Sequence, residues 1–193
     1  MVFRAEIQLT LALLDFEIVA IACAVRFELR HAPGMVETVG GDFWAMLRLG
    51  EHETALKHYL AIFRSGRIVS TTRYGKAGPG PAGAVMTILF EIEGQRFLAL
   101  NGGPHFKFTP AISLIVDCAT QAEVDELWDR LGEGRAPGQC GWLTDKFGVS
   151  WQIVPSLIPR IIESGDAAGI QRVMRAVMPM TKLDIGKLQQ AFD

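Results

Sequence analysis

The sequence predicts an α+β fold built from two consecutive βαβββ modules. Two observations support this prediction. The order strand, helix, strand, strand, strand is present in residues 42–108 and begins again at residue 109. The apolar stripes of the two predicted helices also have identical spacing, since adding 68 to each residue number of the first stripe gives the second. The stripes are Leu56, Tyr59, Leu60 and Phe63 in one helix, and Val124, Leu127, Trp128 and Leu131 in the other.

In the first module, "FWAMLRL" (43–49) predicts a strand and residues 51–63 predict an amphipathic helix. Three β-rich segments follow, separated by turns that contain glycine. They are "GRIVSTTRY", "AVMTILFEI" and "QRFLALN".

In the second module, "AISLIVD" (111–117) is typical of a buried strand. The helix that follows (120–132) begins with a capping box, Thr120 to Glu123, and is expected to close at Gly132. Three further strands fit residues 135–154. We therefore predict a two-module domain over 42–155, with modules 42–108 and 109–155.

Residues 156–193 predict a C-terminal tail of helices. Its longest apolar stripe consists of Ile170, Val173, Met174, Val177 and Met178. Packing of this stripe on the protein's own sheet or on a dimer is expected.

Residues 1–40 are expected to form an extension outside the domain, of uncertain structure. Their apolar stretch is interrupted by Asp15 and Glu17, and its uncharged run from Ile18 to Val25 is far shorter than the roughly 20 residues of a membrane span. Arg4 alone would have to serve as the basic region of a signal peptide. Neither a membrane span nor a signal peptide is predicted.

The overall charge argues against a nucleic-acid partner. The 193 residues contain 19 basic and 21 acidic side chains, whereas binding to phosphate backbones requires an excess of clustered positive charge. Three cysteines lie far apart without a C-x-x-C pair, so neither a zinc knuckle nor a disulfide framework is indicated. A reducing cytoplasm is the expected location.

Two long strings identify a family resemblance. "TRYGKAGPGPAGAVMTILFEIEGQRFLALNGGPHFKF" (72–108) and "GQCGWLTDKFGVSWQIVP" (138–155) closely resemble the PhnB-like group of the glyoxalase, or vicinal oxygen chelate, superfamily. This group is often labelled 3-demethylubiquinone-9 3-methyltransferase. The resemblance extends from about Asp42 to Pro155. It implies a glyoxalase-like fold with a cupped, mostly antiparallel sheet, a central cleft and a homodimer.

The methyltransferase label meets a physical objection. A nucleotide-like cofactor is usually held by a Gly-rich turn between a strand and a helix, where backbone N–H groups face the ligand. Here the Gly-rich segment 75–83 is predicted to join two strands, and its two prolines remove N–H donors. We interpret it as a hairpin loop that lines or covers the cleft, and we predict no cofactor.

Metal binding is also not predicted. Relatives with enzymatic activity hold a divalent ion with His, Gln and Glu side chains, and only one of the matching positions here can ligate. Those positions are Trp44, one residue among Leu98, Ala99 and Leu100, Ile112, and Gln152. A single neutral amide cannot replace the water shell of a divalent ion.

Six side chains are predicted to contact a ligand. They are Gln152, Ser150, His105, Asn101, Trp44 and Cys140. On the last strand, Ser150 and Gln152 share the face that looks into the cleft in relatives, while Trp151 and Val149 face a helix or a partner. Three alternatives stay open: Gln152 as a buried amide satisfied by backbone groups, Cys140 as a packing residue beside Trp142, and His105 as a structural turn histidine.

The sequence thus predicts a PhnB-like protein that binds a small organic molecule in a metal-free cleft, with its catalytic status open. One alternative is a metal-dependent isomerase, lyase or dioxygenase of the same superfamily. Another is a drug-sequestering or purely structural dimer of the bleomycin-resistance type.

Overall fold

The computed structural model describes residues 45–47, 52–77, 79–101, 108–135 and 137–193. The predicted extension 1–40 and two of the predicted ligand contacts, Trp44 and His105, lie outside the described residues. The described chain contains seven strands and five helices.

The first module forms a four-stranded sheet in the order β1-β4-β3-β2. Strand β1 is parallel to β4, and the other pairs are antiparallel. The sheet agrees with the predicted strand, helix, strand, strand, strand order. Its elements are β1 (Ala45–Leu47), α1 (His52–Ile62), β2 (Gly66–Arg73), β3 (Val85–Ile92) and β4 (Gln95–Leu100).

The second module forms a three-stranded sheet in the order β5-β7-β6. Its first strand is again parallel to its last, as in the first module. Its elements are β5 (Leu114–Cys118), α2 (Gln121–Leu131), β6 (Trp142–Thr144) and β7 (Ser150–Pro155).

The prediction of three strands within residues 135–154 was wrong, because the described residues of that stretch form two. The segment before β6 is a turn instead, in which the Gly138 N–H donates to the Trp142 carbonyl over 2.9 Å.

The two helix stripes from which the internal duplication was predicted both contribute to the core. Leu56 of α1 and Val124 of α2, which lie 68 residues apart, are both buried in the same apolar cluster. The capping box of α2 is also present, since the Thr120 hydroxyl accepts from the Glu123 N–H and the Glu123 carboxylate accepts from the Thr120 N–H. The helix ends at Gly132 as predicted.

Aromatic rings join the two modules. The Trp151 indole of β7 lies 5.6 Å from the Tyr59 ring and 5.6 Å from the Phe63 ring, centroid to centroid. Tyr59 belongs to α1, and Phe63 directly follows it. Such edge-on and tilted contacts are the preferred geometries of aromatic pairs. Helix α1 of the first module therefore packs on the last strand of the second.

The C-terminal tail consists of α3 (Leu157–Glu163), α4 (Ala167–Val177) and α5 (Ile185–Phe192). Asp166 and Asp184 cap the first turns of α4 and α5 with their carboxylates. The three helices enclose an apolar cluster of their own, formed by Ile161, Val173, Val177, Leu183 and Leu188. Among the described helices, none has the length and apolar character that crossing a membrane requires.

Candidate functional site

Strand β7 presents two different faces. Trp151 and Ile153 point into the apolar core, together with Val149 just before the strand, as the period of two predicts. Ser150 and Gln152 lie on the opposite face and are 4% and 3% exposed. The strand thus places two polar side chains in a buried position outside the apolar core.

Gln152 makes one side-chain hydrogen bond. Its Nε2 donates to the Ser113 hydroxyl over 2.8 Å, and Ser113 directly precedes β5. The open alternative of an amide satisfied by backbone groups is therefore corrected, because the partner is a side chain. The other end of the amide, Oε1, accepts no hydrogen bond from any side chain or backbone group that the structure describes.

Two neighbours of Gln152 complete this face of the sheet. Trp142 of β6 and Ile115 of β5 are its direct partners in the strand register, and directly paired residues share a face. Both side chains are half-buried. We call the group Ser113, Ile115, Trp142, Ser150 and Gln152 the amide face.

Asn101, also predicted as a ligand contact, lies at the end of β4 in the other sheet. Its backbone N–H donates to the Met86 carbonyl over 2.9 Å, and its own carbonyl accepts from the Tyr74 hydroxyl over 2.8 Å. Within the part of the chain that the structure describes, no hydrogen bond joins Asn101 to Gln152. Its role toward a ligand stays a prediction.

Cys140 contacts the C-terminal tail. Its N–H donates to the Met180 carbonyl over 2.6 Å, and its Sγ lies 3.8 Å from the Met178 carbonyl. Burial raises the pKa of the Cys140 thiol, which disfavours the thiolate that a nucleophile requires. These contacts favour a packing role for Cys140 over a catalytic one. The described hydrogen-bond partners of Cys140 belong to the tail, whereas the sequence predicted packing beside Trp142.

Comparison with known proteins identifies the family. A family model described as 3-demethylubiquinone-9 3-methyltransferase matches residues 44–154, which is more than half of the chain. The chain belongs to this family. The predicted PhnB-like resemblance is thereby confirmed.

Two solved structures are similar to this chain. A Bacillus cereus structure described as a putative 3-demethylubiquinone-9 3-methyltransferase, PhnB protein, is 34% identical, covers 60% of this chain and 98% of its own, and has a TM-score of 0.53. A Pseudomonas aeruginosa protein is 20% identical with the same coverage and a TM-score of 0.51, which supports the fold alone. Comparison with curated proteins gave no match.

The family label implies a methyl-donor cofactor, and the Gly-rich loop does not fit one. The loop joins β2 to β3 as a hairpin, with the Tyr74 N–H donating to the Ala84 carbonyl over 2.9 Å and the Gly83 N–H returning to the Tyr74 carbonyl over 2.9 Å. The hairpin itself uses the N–H groups of Tyr74, Gly83 and Ala84, and strand β3 rather than a helix follows the loop. We derive no methyl-transfer step from this geometry.

The residues at the superfamily's metal positions do not fit a divalent ion. Ile112 was predicted on the fifth strand, but it lies two residues before β5 with a 73% exposed apolar side chain. The strand begins later because the Thr109 carbonyl accepts from the Ile112 N–H in a turn. Leu98, Ala99 and Leu100 are apolar, and Gln152 donates to Ser113. The described residues bring together no group of three His, Cys, Asp or Glu side chains placed to hold a metal.

The sequence analysis missed a buried carboxylate, Asp145. It accepts from the Tyr59 hydroxyl over 2.6 Å, from the Trp151 indole N–H over 2.8 Å, and from the N–H groups of Phe147 and Val149 over 2.9 and 3.0 Å. Burial and the nearby carboxylate raise the pKa of Tyr59, so its hydroxyl stays a donor. The available signal was an Asp before the Phe-Gly turn between two β-rich segments.

A small cavity lies between α1 and α2, away from the amide face. Ile62, Phe63, Val116 and Leu127 form its apolar wall, and its volume is about 50 Å³. Ligand pockets usually measure at least about 300 Å³. Glu123 at its rim is already paired with Arg64 over 3.2 Å. This cavity is smaller than a usual ligand pocket.

Proposed function

We propose that this PhnB-like protein binds a small organic molecule at the amide face, without a metal. The observation that supports this most directly is the unequal use of the Gln152 amide. Its nitrogen is fixed by Ser113, and its oxygen is left as an acceptor. An amide oxygen on a nearly buried side chain that has no described protein partner is available to the donor group of a ligand.

The chemistry of the amide face defines the class of ligand. Oε1 of Gln152 requires a hydrogen-bond donor, such as a hydroxyl or an amide N–H. The half-buried Trp142 indole and Ile115 beside it offer apolar surface for a ring or an aliphatic group. The proposed ligand is therefore a small, mainly apolar organic molecule that carries at least one O–H or N–H group.

The same chemistry favours binding over catalysis. The amide of Gln152 and the hydroxyls of Ser113 and Ser150 do not titrate near neutral pH, so they supply no general acid or base. The Cys140 thiol has a raised pKa and contacts the tail. Binding and orientation of a ligand are the functions that these groups support.

We also propose a homodimer in the reducing cytoplasm. All eight residues of the edge strand β2 are exposed, including the apolar side chains of Ile68 and Val69, which a second copy could cover. Both described cysteines are free thiols, as expected in a reducing compartment. Sedimentation analysis at several protein concentrations tests the dimer, and a monomer at every concentration would contradict it.

Binding is tested with a ligand-observed NMR screen of small, neutral hydroxyl- and amide-containing compounds. Compounds that bind the wild type are then titrated into Gln152→Leu. Loss of the acceptor leaves a ligand donor unpaired, so affinity should fall roughly 5- to 150-fold, or about 1–3 kcal/mol. The control is Gln171→Leu, which makes the same change at an exposed position of α4 and should bind as the wild type does.

Two outcomes favour the competing functions. If the screened compounds bind Gln152→Leu as tightly as the wild type, the amide face is not the site. If added zinc, nickel or iron raises the melting temperature, a metal binds the native state and the metal-dependent enzymes become the better assignment. Bleomycin is included in the screen, since its binding would indicate the drug-sequestering alternative.

A further inference from the structure

The C-terminal tail (156–193) lies outside residues 44–154, the part of the chain that the family model matches. The tail is nevertheless hydrogen-bonded to the turn that leads into β6. We propose that this tail positions Trp142 against Gln152 and so completes the amide face. The proposal deepens the proposed binding function and rests on it. It assigns a role to the string "GQCGW", which the metal-free site leaves unexplained.

Gly141 connects the tail to the sheet through its backbone. Its N–H donates to the Thr181 carbonyl of the tail over 2.8 Å, and its carbonyl accepts from the Ile153 N–H of β7 over 2.8 Å. One residue earlier, the Cys140 N–H donates to the Met180 carbonyl. Gly141 is therefore hydrogen-bonded both to the tail and to β7, the strand that bears Gln152.

Position 141 requires glycine for two reasons. Its φ of +82° lies in the left-handed region that favours glycine. A Cβ there would also lie 2.8 Å from the Ile153 carbonyl oxygen and 3.0 Å from Cδ1 of Leu183 in the tail. The close approach of the turn to the tail therefore depends on the absence of a side chain.

A second anchor holds the tail to α2. The Gln121 Oε1 accepts from the Ile185 N–H over 2.8 Å, and its Nε2 donates to the Leu183 carbonyl over 3.2 Å. Lys182 adds an ion pair to Asp125 over 2.8 Å, which contributes little because both groups are substantially solvent-exposed. Gln121 and Gly141 thus hold neighbouring parts of the same connection between α4 and α5.

The consequence for the site follows from the strand register. Trp142 is the residue after Gly141 and the direct partner of Gln152 across β6 and β7. Because directly paired side chains share a face, a shift of the turn moves the indole relative to the amide. The tail therefore controls the distance between the apolar and polar parts of the proposed site.

The test uses the full chain and no ligand, so its failure is distinguishable from failure of the binding screen. Gly141→Ala and Gln121→Ala each disturb the tail contact. Gly94→Ala is the matched control, since Gly94 has a φ of +80° and its added Cβ would have nothing within 4 Å. The measurements are the ¹⁹F resonance of fluorotryptophan at Trp142, the side-chain NH₂ resonances of Gln152, and amide exchange at Ile153.

We expect both tail variants to shift the Trp142 and Gln152 resonances and to accelerate Ile153 exchange roughly tenfold, while Gly94→Ala leaves all three as in the wild type. If Gly141→Ala does not fold, Gln121→Ala alone decides the matter. Unchanged Trp142 and Gln152 resonances, alongside faster exchange at Leu183 and Ile185, would overturn the proposal, because the tail would then have loosened without effect on the amide face.

Discussion

The two faces of strand β7 hold buried polar groups in opposite states. On the core face, the Asp145 carboxylate accepts four hydrogen bonds and has no remaining need for a partner. On the amide face, Gln152 makes one side-chain hydrogen bond and retains a free acceptor. A saturated network stabilises the fold, whereas an unsaturated one leaves capacity for a ligand. We therefore expect Asp145 to stabilise the fold, and the contrast supports the proposal that Gln152 binds a ligand.

The largest effect on stability is expected from substitution of Asp145. Asp145→Ala leaves the Tyr59 hydroxyl, the Trp151 indole N–H and two backbone N–H groups without their acceptor in the core. We expect the free energy of unfolding to fall by about 4 kcal/mol, because each buried unpaired donor is costly. Urea unfolding measures the change. Asp129→Ala, at a largely exposed carboxylate, should change stability very little, and a similar loss in both variants would contradict the comparison.

Tyr59→Phe should have the next largest effect on stability. It removes one hydrogen bond to a buried carboxylate but keeps the ring that packs on Trp151. A loss of about 1.5–3 kcal/mol is expected, since hydrogen bonds to charged groups fall in that range. The same urea experiment compares this loss in the free energy of unfolding with the loss in Asp145→Ala. The comparison distinguishes the contribution of the Tyr59 hydrogen bond from that of all four hydrogen bonds to Asp145. Equal losses would mean that the hydroxyl is the only important donor.

Gln152→Leu should cost less than either change on the core face. It leaves only the Ser113 hydroxyl without its donor, so about 1 kcal/mol is expected, and the double variant with Ser113→Ala should recover part of the loss. Thermal melts of the single and double variants measure this. A loss as large as that of Asp145→Ala would make Gln152 a structural residue and remove the distinction between the two faces.

The smallest effect on stability is expected from protonation of His58. Burial and nearby Lys146 and Arg130 lower the pKa of His58 from 6.5, against the opposing influence of Asp145 and Glu133. Its Nε2 is buried and has no hydrogen-bond partner among the described residues. The folded state therefore takes up a proton less readily than the unfolded state, so stability is full above about pH 6.5 and declines as the pH falls through the lowered pKa. His58→Gln should flatten the wild-type decline measured between pH 7 and pH 5. Identical pH profiles would exclude His58 as its source.

Local patterns made the fold predictable. Identical helix stripes, the Thr120 capping box and the alternation along β7 each depend on neighbours a few residues away, and the structure confirms all three. The start of β5 was predicted at Ala111 but lies at Leu114, because a turn at Thr109 delays the strand. That shift also concealed Ser113, the partner of Gln152.

The site was less predictable because its contacts join distant parts of the chain. Tyr59 and Asp145 are 86 residues apart, and Ser113 and Gln152 are 39 apart. The turn at Cys140 meets a tail about 40 residues further on. Periodicity identifies which face a side chain occupies, but it does not specify which distant group lies against it. The sequence indicated Gln152, because it is a polar residue on a buried strand. The sequence did not indicate its hydrogen-bond partner, Ser113.

The most direct test of the amide face is an intermolecular NOE measurement with the tightest compound from the screen. The ligand should show NOEs to the Trp142 indole and to the Gln152 side-chain amide, with the ligand's donor group nearest Oε1. NOEs to Phe63 and Leu127, in the cavity between α1 and α2, would contradict this account and place the binding site on the other side of the molecule.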